Sequence, residues 1–200
     1  SPDGAGLTFS VSESRTLIWR VPAEGGSPTV LTSDHDTVSS PIVSPDGGQV
    51  AFLSNRDGAR DVYVVAVGGG VSRRVTTNPG GTASPRWSPD GTLVAFESSR
   101  SGNSDIWVVA SAGGEPRAVT THAARDVGPV WSPDGKTLAF GSHDSRIYLY
   151  NTTKQNYSKR AICKGHSSYI TEIDFSGDSH LLQSTSGAYE LLYWDTGGNR

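Results

Sequence analysis

The tetrapeptide Ser-Pro-Asp-Gly recurs along this chain at an almost constant spacing, and its last copy is degenerate. The serines lie at Ser1, Ser44, Ser88, Ser132 and Ser176, so successive copies are 43 residues apart once and 44 residues apart thereafter. A self-similar period of this size indicates a chain built from repeated supersecondary units. One such unit cannot bury its apolar surface alone, so neighbouring units must stack on one another.

Each period contains four runs that read as short strands. The first run ends at the Pro-Asp-Gly turn, in which Pro fixes φ, Asp bonds its own backbone and Gly accepts a positive φ. A second and a third run follow, and in three periods a Gly-Gly turn leads to a fourth run that ends in threonine. Four short strands in roughly 40–45 residues are typical of a β-propeller blade. In the middle period the predicted strands are Ala83–Trp87, Leu93–Ser98, Ile106–Ala110 and Ala118–Thr120.

Aromatic residues occupy equivalent positions in successive periods. Each second strand carries a phenylalanine, and each third strand carries a tryptophan or tyrosine. Because residues one period apart have the same place in successive blades, we expect the phenylalanines to be buried between blades. The phenylalanines are Phe9, Phe52, Phe96 and Phe140, and the third-strand aromatics are Trp19, Tyr63, Trp107 and Tyr148.

Composition favours one all-β domain over residues 1–200. A hydrophobic content of 34% and 24 glycines fit many short strands joined by tight turns. The net charge of −3 comes from scattered charges, so we expect no nucleic-acid partner. No apolar run reaches membrane-spanning length and no secretory signal is present, so we expect a soluble protein of unassigned compartment with no membrane contact. Cys163 is the single cysteine, which excludes an intrachain disulfide, and the lack of methionine indicates a processed product or a segment.

A set of short motifs repeats in the same order through the first three periods. The order is W-S-P-D-G, A-F, S-x-R-x-G, D-I-Y-V, G-G and R-x-T, and it is clearest at Ala51–Val65 and Ala95–Val109. The first copy, at Ser10–Arg20, lacks the Arg-Gly turn and the Asp before the third strand. Residues 1 to about 135 thus resemble TolB-type propeller repeats, which are also similar to the propellers of prolyl-oligopeptidase-like enzymes and of the tricorn protease. The TolB resemblance implies a periplasmic partner such as a peptidoglycan-associated lipoprotein.

From about residue 136 the motifs change. The turn before the third strand shortens to Ser142–Arg146, and Asn151–Arg160 replaces the Gly-Gly turn. Gly165-His166 then precedes a first strand and Trp194-Asp195 closes a third one, within Lys164–Asp195. Residues 136–200 resemble the WD repeats of echinoderm microtubule-associated protein-like (EMAP-like) proteins, which implies tubulin as a partner.

One departure from the WD pattern concerns the histidine of its Gly-His pair. The resemblance implies an Asp in the turn before the third strand, hydrogen-bonded to that histidine. Ala188 stands at that place, in the turn Ser186-Gly187-Ala188-Tyr189. We therefore expect the network of His166 to be incomplete.

The repeat phase continues unbroken across the change of family. Ser88, Ser132 and Ser176 remain 44 residues apart, and the two families share sequence within Val130–Gly141. We interpret the chain as a chimera, engineered or recombined, that is joined in this interval. The alternative is a natural propeller whose terminal blades have diverged.

Strand counting predicts eighteen strands in about five four-stranded blades, with the first lacking its innermost strand and the last its outermost. Propellers usually close when a strand from one end of the chain completes the blade at the other end. Here the two missing strands belong to different blades, so a closure of that kind cannot complete both. Either the ring closes imperfectly with five blades, or the chain is an arc of a larger ring, or a second chain supplies strands. Open strand edges favour self-association.

The sequence predicts no catalytic, cofactor-binding or metal site. No close histidine pair and no G-x-S-x-G elbow is present, and His166 is interpreted as a structural residue of the WD pattern. The turn aspartates repeat with the period, which fits turn capping better than acid–base work or calcium ligation at one rim. The other histidines are interpreted as loop residues: His35, His122, His143 and His180. The turn aspartates are Asp3, Asp46, Asp90 and Asp134.

These observations predict a non-enzymatic β-propeller scaffold, most simply a chimera without an evolved ligand and without a cofactor. The first alternative is a protein-interaction module that binds tubulin or a TolB-type partner. The second is an accessory propeller that gated a peptidase domain now lost. Lys154, Lys159 and Arg160 could attract an acidic surface, but salt would screen them, so we expect no specific microtubule binding.

Overall fold

The computed structural model describes residues 16–21, 26–32, 37–77, 80–153 and 157–197. Within these ranges the chain forms seventeen strands joined by turns and loops, and it contains no helix. The predicted all-β class is therefore confirmed. A search of the same residues for a helix long and apolar enough to cross a membrane finds none.

The strands form five antiparallel sheets, which we call blades 1 to 5 in chain order. Blade 1 contains β1 (Trp19–Arg20) and β2 (Thr29–Val30). Blade 2 contains β3 (Val38–Val43), β4 (Gln49–Ser54), β5 (Asp61–Ala66) and β6 (Arg73–Arg74). Blade 3 contains β7 (Thr82–Trp87), β8 (Leu93–Ser98), β9 (Asp105–Ala110) and β10 (Arg117–Ala118). Blade 4 contains β11 (Asp126–Trp131), β12 (Thr137–Ser142), β13 (Arg146–Asn151) and β14 (Ser158–Lys164). Blade 5 contains β15 (Ile170–Phe175), β16 (Leu181–Ser186) and β17 (Leu191–Asp195).

The prediction that the first and last blades are incomplete agrees with these sheets. Blades 2 to 4 each have four strands in sequential order, whereas blade 5 has three. The predicted second strand of blade 1, Gly6–Ser10 with Phe9, lies outside the described residues, and it would be the eighteenth. The fold is thus an arc of β-propeller blades.

The innermost strands of blades 2 to 4 share an irregularity that the sequence reading missed. Ser40, Ser84 and Gly128 have φ values of 51°, 49° and 60°, and each precedes a proline. The pairing register of each strand shifts across that residue. Since proline has no N–H to donate, a bulge is the place in a sheet that accepts it.

The hydrophobic core lies between neighbouring blades. Each blade has a forward face, packed on the next blade, and a rear face, packed on the preceding one. The phenylalanines of the rear faces are fully buried, as predicted. The forward faces of blades 2, 3 and 4 carry Ala51, Val62 and Val64; Ala95, Ile106 and Val108; and Ala139, Ile147 and Leu149. The rear faces carry Phe52, Tyr63 and Val65 in blade 2, Phe96 and Val109 in blade 3, and Phe140 and Tyr148 in blade 4.

The blades form an arc that the described strands do not close. Successive innermost strands are in contact from β3 to β7, from β7 to β11 and from β11 to β15. Among the described strands, those of blade 5 make no comparable contact with blade 1 or blade 2. Among the described strands, one face at each end of the arc therefore has no neighbouring blade.

Candidate functional site

The Ser-Pro-Asp-Gly turns form one rim of the molecule. In blade 3, Ser88 Oγ donates to Asp90 Oδ1 over 2.5 Å, and the Thr92 N–H donates to the same oxygen over 3.0 Å. The hydrogen bond from the Ser88 hydroxyl is the main cause that lowers the pKa of Asp90. These turn carboxylates are occupied in capping their own turns. The same arrangement recurs around Asp46, Asp134 and Asp178.

From the sequence, calcium ligation at one rim was weighed against turn capping for these aspartates, and capping was favoured. In the part of the chain that the structure describes, no three histidine, cysteine, aspartate or glutamate side chains are grouped so that they could hold a metal ion. Asp3 and His35 lie outside that part. The turn aspartates lie in separate blades. Each carboxylate accepts its hydrogen bonds from residues of its own turn.

The motif arginines of the turns between second and third strands lie on the opposite rim, which we call the upper rim (residues 55–60, 80–81, 99–104 and 122–125). The guanidinium carbon of Arg100 lies 4.7 Å from the ring centroid of Trp107. Arg56 lies 4.5 Å from the ring of Tyr63 in the same way. These cation–π contacts hold each arginine against the aromatic residue of its own blade. The arginine of the S-x-R motif is thus explained by its packing on the third-strand aromatic residue.

The motif aspartates at the start of the third strands are buried and bound to the fourth-strand threonines. Thr120 Oγ1 donates to Asp105 Oδ1 over 3.1 Å and accepts from the Ile106 N–H over 2.9 Å. Thr76 makes the equivalent bond to Asp61 over 2.8 Å. These contacts fasten the outermost strand to its neighbour, so the motif residues serve the blade rather than a ligand.

An open cavity of about 330 Å³ lies on the upper rim, between blades 2, 3 and 4. Arg60 precedes β5, Arg125 precedes β11, and both side chains are exposed. Neither guanidinium forms an ion pair with a carboxylate of the described residues. The third charged residue, Glu97, accepts a hydrogen bond from the Gly128 N–H over 2.9 Å. Within the described residues, the cavity therefore presents two guanidiniums without a carboxylate partner beside a fixed carboxylate.

A buried ionisable pair lies beside this cavity. Asp126 is fully buried, and its Oδ2 lies 3.2 Å from His122 Nε2. Burial raises the pKa of Asp126 to about 6, against the lowering influence of the Thr120 hydroxyl and His122. Residues one period away at this strand position, Thr82 and Ile170, carry no charge. From the sequence, His122 was interpreted as a loop residue and Asp126 was missed. The signal for Asp126 was a carboxylate at a repeat position that holds uncharged residues in the neighbouring blades.

The expectation of an incomplete His166 network is wrong. His166 Nδ1 lies 2.9 Å from Glu190 Oε2, and its Nε2 lies 2.7 Å from Ser184 Oγ. Trp194 Nε1 donates to the same Ser184 oxygen over 2.7 Å. Glu190 supplies the carboxylate that Ala188 cannot, because it lies two residues further along the same turn and its longer side chain reaches back.

Glu190 also receives donors from both ends of the turn. The Ser167 hydroxyl donates to Oε1 over 2.7 Å, and the Ser186 hydroxyl donates to Oε2 over 2.7 Å. These bonds, with the Ser167 N–H and His166, lower the pKa of Glu190 to about 2. The histidine is therefore structural, in agreement with its interpretation from the sequence.

The basic residues after β13 are not equivalent. Arg160 donates to Thr137 Oγ1 over 3.0 Å and to the Thr196 carbonyl over 2.8 Å, so it links blades 4 and 5. Lys159 is exposed, and Lys154 lies outside the described residues. Arg160 is thus a structural clamp rather than part of a free basic patch.

Comparison with known proteins supports both resemblances. A family profile described as TolB beta propeller domain matches residues 74–193, which is more than half of the chain and runs through Val130–Gly141. The 77 kDa echinoderm microtubule-associated protein of Strongylocentrotus purpuratus is 57% identical over 56 residues, or 27% of this chain and 8% of that protein. Echinoderm microtubule-associated protein-like 4 of Xenopus laevis is 54% identical over 57 residues, or 28% of this chain and 6% of that protein.

Solved structures agree with the propeller fold. The putative TolB of Agrobacterium tumefaciens superposes with a TM-score of 0.61 at 28% identity, covering 79% of this chain and 61% of that chain. TolB of Acinetobacter baumannii superposes with a TM-score of 0.71 at 23% identity, covering 92% of this chain and 47% of that chain. This chain thus spans less than a tenth of the curated relatives and about half of the second TolB structure.

Proposed function

This chain belongs to the TolB beta propeller domain family, and from that premise we propose that it is a non-enzymatic protein-interaction scaffold. The observation that carries the proposal is the upper-rim cavity with Arg60 and Arg125. Recognition in such folds is usually placed on loops, while strand residues serve packing. The motif residues of this chain follow that division, because their arginines, aspartates and threonines are all engaged within a blade.

The chemistry of the cavity favours an acidic protein segment. Two exposed guanidiniums without a carboxylate partner in the described residues are the groups that bind carboxylates in a bidentate manner. Glu97 is held by the Gly128 N–H, and it would repel an acidic segment placed on its side of the cavity. The partner's carboxylates are therefore expected to sit over Arg60 and Arg125.

A fluorescein-labelled hexaglutamate peptide tests this proposal by fluorescence anisotropy. Arg125→Ala is expected to weaken binding about threefold to fivefold, as the loss of a partly exposed ion pair does. Lys159→Ala is the matched control, because it removes one exposed positive charge away from the cavity. Equal effects of the two changes, or none in either, would remove the cavity from the proposal.

The finer partner assignments rest on the relatives. The name of the sea-urchin relative records association with microtubules, and the TolB resemblance suggests a periplasmic lipoprotein. Because this chain spans a small part of the microtubule-associated relatives, and because Arg160 is engaged as a clamp, we expect no specific binding to tubulin.

We also propose that the chain is a chimera of TolB-type and EMAP-like blades. Its support is the coexistence of a TolB family match over residues 74–193 with more than half identity to microtubule-associated proteins over 56 residues. Separate comparison of residues 1–135 and 136–200 is expected to give one family for each part with a sharp break. A gradual change of similarity along the chain would favour diverged terminal blades.

A further inference from the structure

The charged side chains that line the upper-rim cavity all break the repeat. Arg60, Glu97 and Arg125 come from blades 2, 3 and 4, respectively. At the equivalent positions of the other two of these blades the residues are uncharged. They are Ser104 and Ser145 for Arg60, Leu53 and Gly141 for Glu97, and Thr37 and Gly81 for Arg125. Because neighbouring blades form without these charges, the packing of the propeller does not account for them, and such departures from a repeat indicate function.

Glu97 is the least expected of the three, because its position faces the next blade. In blade 2 the equivalent Leu53 is 2% exposed and lies in the core between blades 2 and 3. In blade 4 the equivalent is Gly141, where a Cβ would lie 2.6 Å from the Ile170 side chain. Glu97 thus places a half-buried carboxylate at a position used for close packing, which is costly unless the charge is used.

The hydrogen bond that Glu97 makes does not need a negative charge. Its Oε1 accepts from the Gly128 N–H over 2.9 Å, and the amide oxygen of a glutamine would accept the same bond. Within the described residues, Glu97 has no other hydrogen bond and no ion pair. Its second carboxylate oxygen is therefore available to a ligand.

Charge is what this cavity can select on. The Ser99 hydroxyl already donates to the Gly80 carbonyl, and the Ser104 hydroxyl donates to the Asp126 carbonyl over 3.1 Å. Along the arc of blades the charges that remain come in the order positive, negative, positive. A segment with carboxylates alone would bring a like charge to the middle one, whereas a cation between two carboxylates matches all three.

We propose that Glu97 makes the upper-rim cavity selective for a protein segment that carries a lysine or arginine between two acidic residues. This inference rests on the proposed function, since Arg60 and Arg125 must bind the two carboxylates. In an extended segment, residues two apart point to the same side. Acidic, basic and acidic residues at alternate positions therefore present their three charges together to the cavity.

Two labelled peptides of identical composition test the selectivity by fluorescence anisotropy. One has the order Glu-Ser-Lys-Ser-Glu and the other Lys-Ser-Glu-Ser-Glu, both acetylated and amidated, so their net charges are equal. The wild-type chain is expected to bind the first about threefold more tightly, as an additional partly exposed ion pair allows. Glu97→Gln, which keeps the acceptor for Gly128, is expected to remove this preference.

The matched control is Glu172→Gln. It removes an exposed carboxylate from blade 5, no described residue of which lines the cavity, and it should leave the preference intact. Circular dichroism establishes that each variant keeps its β structure. A preference that persists in Glu97→Gln, or that Glu172→Gln removes equally, would overturn the assignment to Glu97.

Arg125→Ala separates this inference from the function on which it rests. The change is expected to weaken the binding of both peptides. If it does so while the wild-type chain binds the two peptides equally, the role of Glu97 is wrong and the acidic partner stands. If it leaves the binding of both peptides unchanged, the cavity is not the binding site and both proposals fall.

Discussion

The Trp131 indole N–H donates to the carbonyl of Arg86, one blade earlier in the chain, over 3.3 Å. Trp87 makes the same bond to Ile42 over 3.1 Å, so the W-S-P-D-G tryptophan joins neighbouring innermost strands as well as packing in the core. At the equivalent position Phe175 of blade 5 has no N–H to donate. The contact explains why the repeat holds a tryptophan in blades 3 and 4.

Replacing Trp131 with phenylalanine is expected to destabilise the chain by about 1–2 kcal/mol. The change retains an aromatic ring but leaves the Arg86 carbonyl without its interblade donor. Urea unfolding followed by circular dichroism measures the change. Trp107→Phe is the control, because the buried indole N–H of Trp107 has no hydrogen-bond partner among the described residues, so removing that N–H should cost less.

Truncation of Phe96 tests the packing between blades. The side chain is fully buried between blades 2 and 3, and Phe→Ala changes at such sites cost roughly 3–5 kcal/mol. We expect Phe96→Ala to lower the urea midpoint sharply, whereas Val71→Ala, at an exposed turn, should leave it unchanged. A Phe96→Ala effect within about ±0.5 kcal/mol, the usual range for surface changes, would contradict the blade register.

The buried carboxyl of Asp126 predicts a pH-dependent stability. Its pKa is raised from 3.8 to about 6, so folding favours the neutral form, and this contribution is present below pH 3.8 and lost as the pH rises through 6. Asp126→Asn keeps the neutral shape, and it should therefore stabilise the chain at pH 7.5 by on the order of 2 kcal/mol and change little at pH 4.

Thermal unfolding of both proteins at the two pH values measures this difference. Burial raises this pKa, and the neighbours that also act on it, namely Thr120, His122, Ser142 and Asp105, are unchanged in the variant. Equal shifts at pH 4 and pH 7.5 would show that Asp126 does not titrate in this range.

Microtubule co-sedimentation tests the partner that the sea-urchin relative suggests. We expect no saturable binding at about 0.15 M salt, at which exposed charges are screened beyond roughly 8 Å. Saturable binding that Lys159→Ala reduces, while the fold is retained, would place tubulin first among the partners. Arg160 is unsuitable for this test, because it holds Thr137 and Thr196.

Strand positions could be read from the sequence because turn chemistry marks them locally. Ser-Pro-Asp-Gly fixes the first turn of each blade, and the strand Leu93–Ser98 was predicted with the observed bounds. The bulges at Ser40 and Ser84 were missed, although Ser-Pro inside a strand is a local signal for them.

The candidate sites were harder to predict, because they depend on side-chain reach and on distant segments. The WD pattern predicts the carboxylate partner of His166 at position 188. The partner is Glu190, two residues later, because its longer side chain reaches His166 from there. The upper-rim cavity combines Arg60, Glu97 and Arg125 from three blades, and no spacing within one repeat brings them together.

Hydroxyl-radical footprinting of the tyrosines tests the central claim most directly, which is that one repeated packing surface is covered in the middle blades and open at the ends. At a dilution where the chain is monomeric, Tyr193 is expected to be modified rapidly and Tyr63 to be protected, in line with their exposures of 64% and 2%. Tyr189, fully exposed in a turn, serves as the reference for rapid modification. Protection of Tyr193 in the monomer would mean that the chain covers its own terminal face, and it would contradict the open arc.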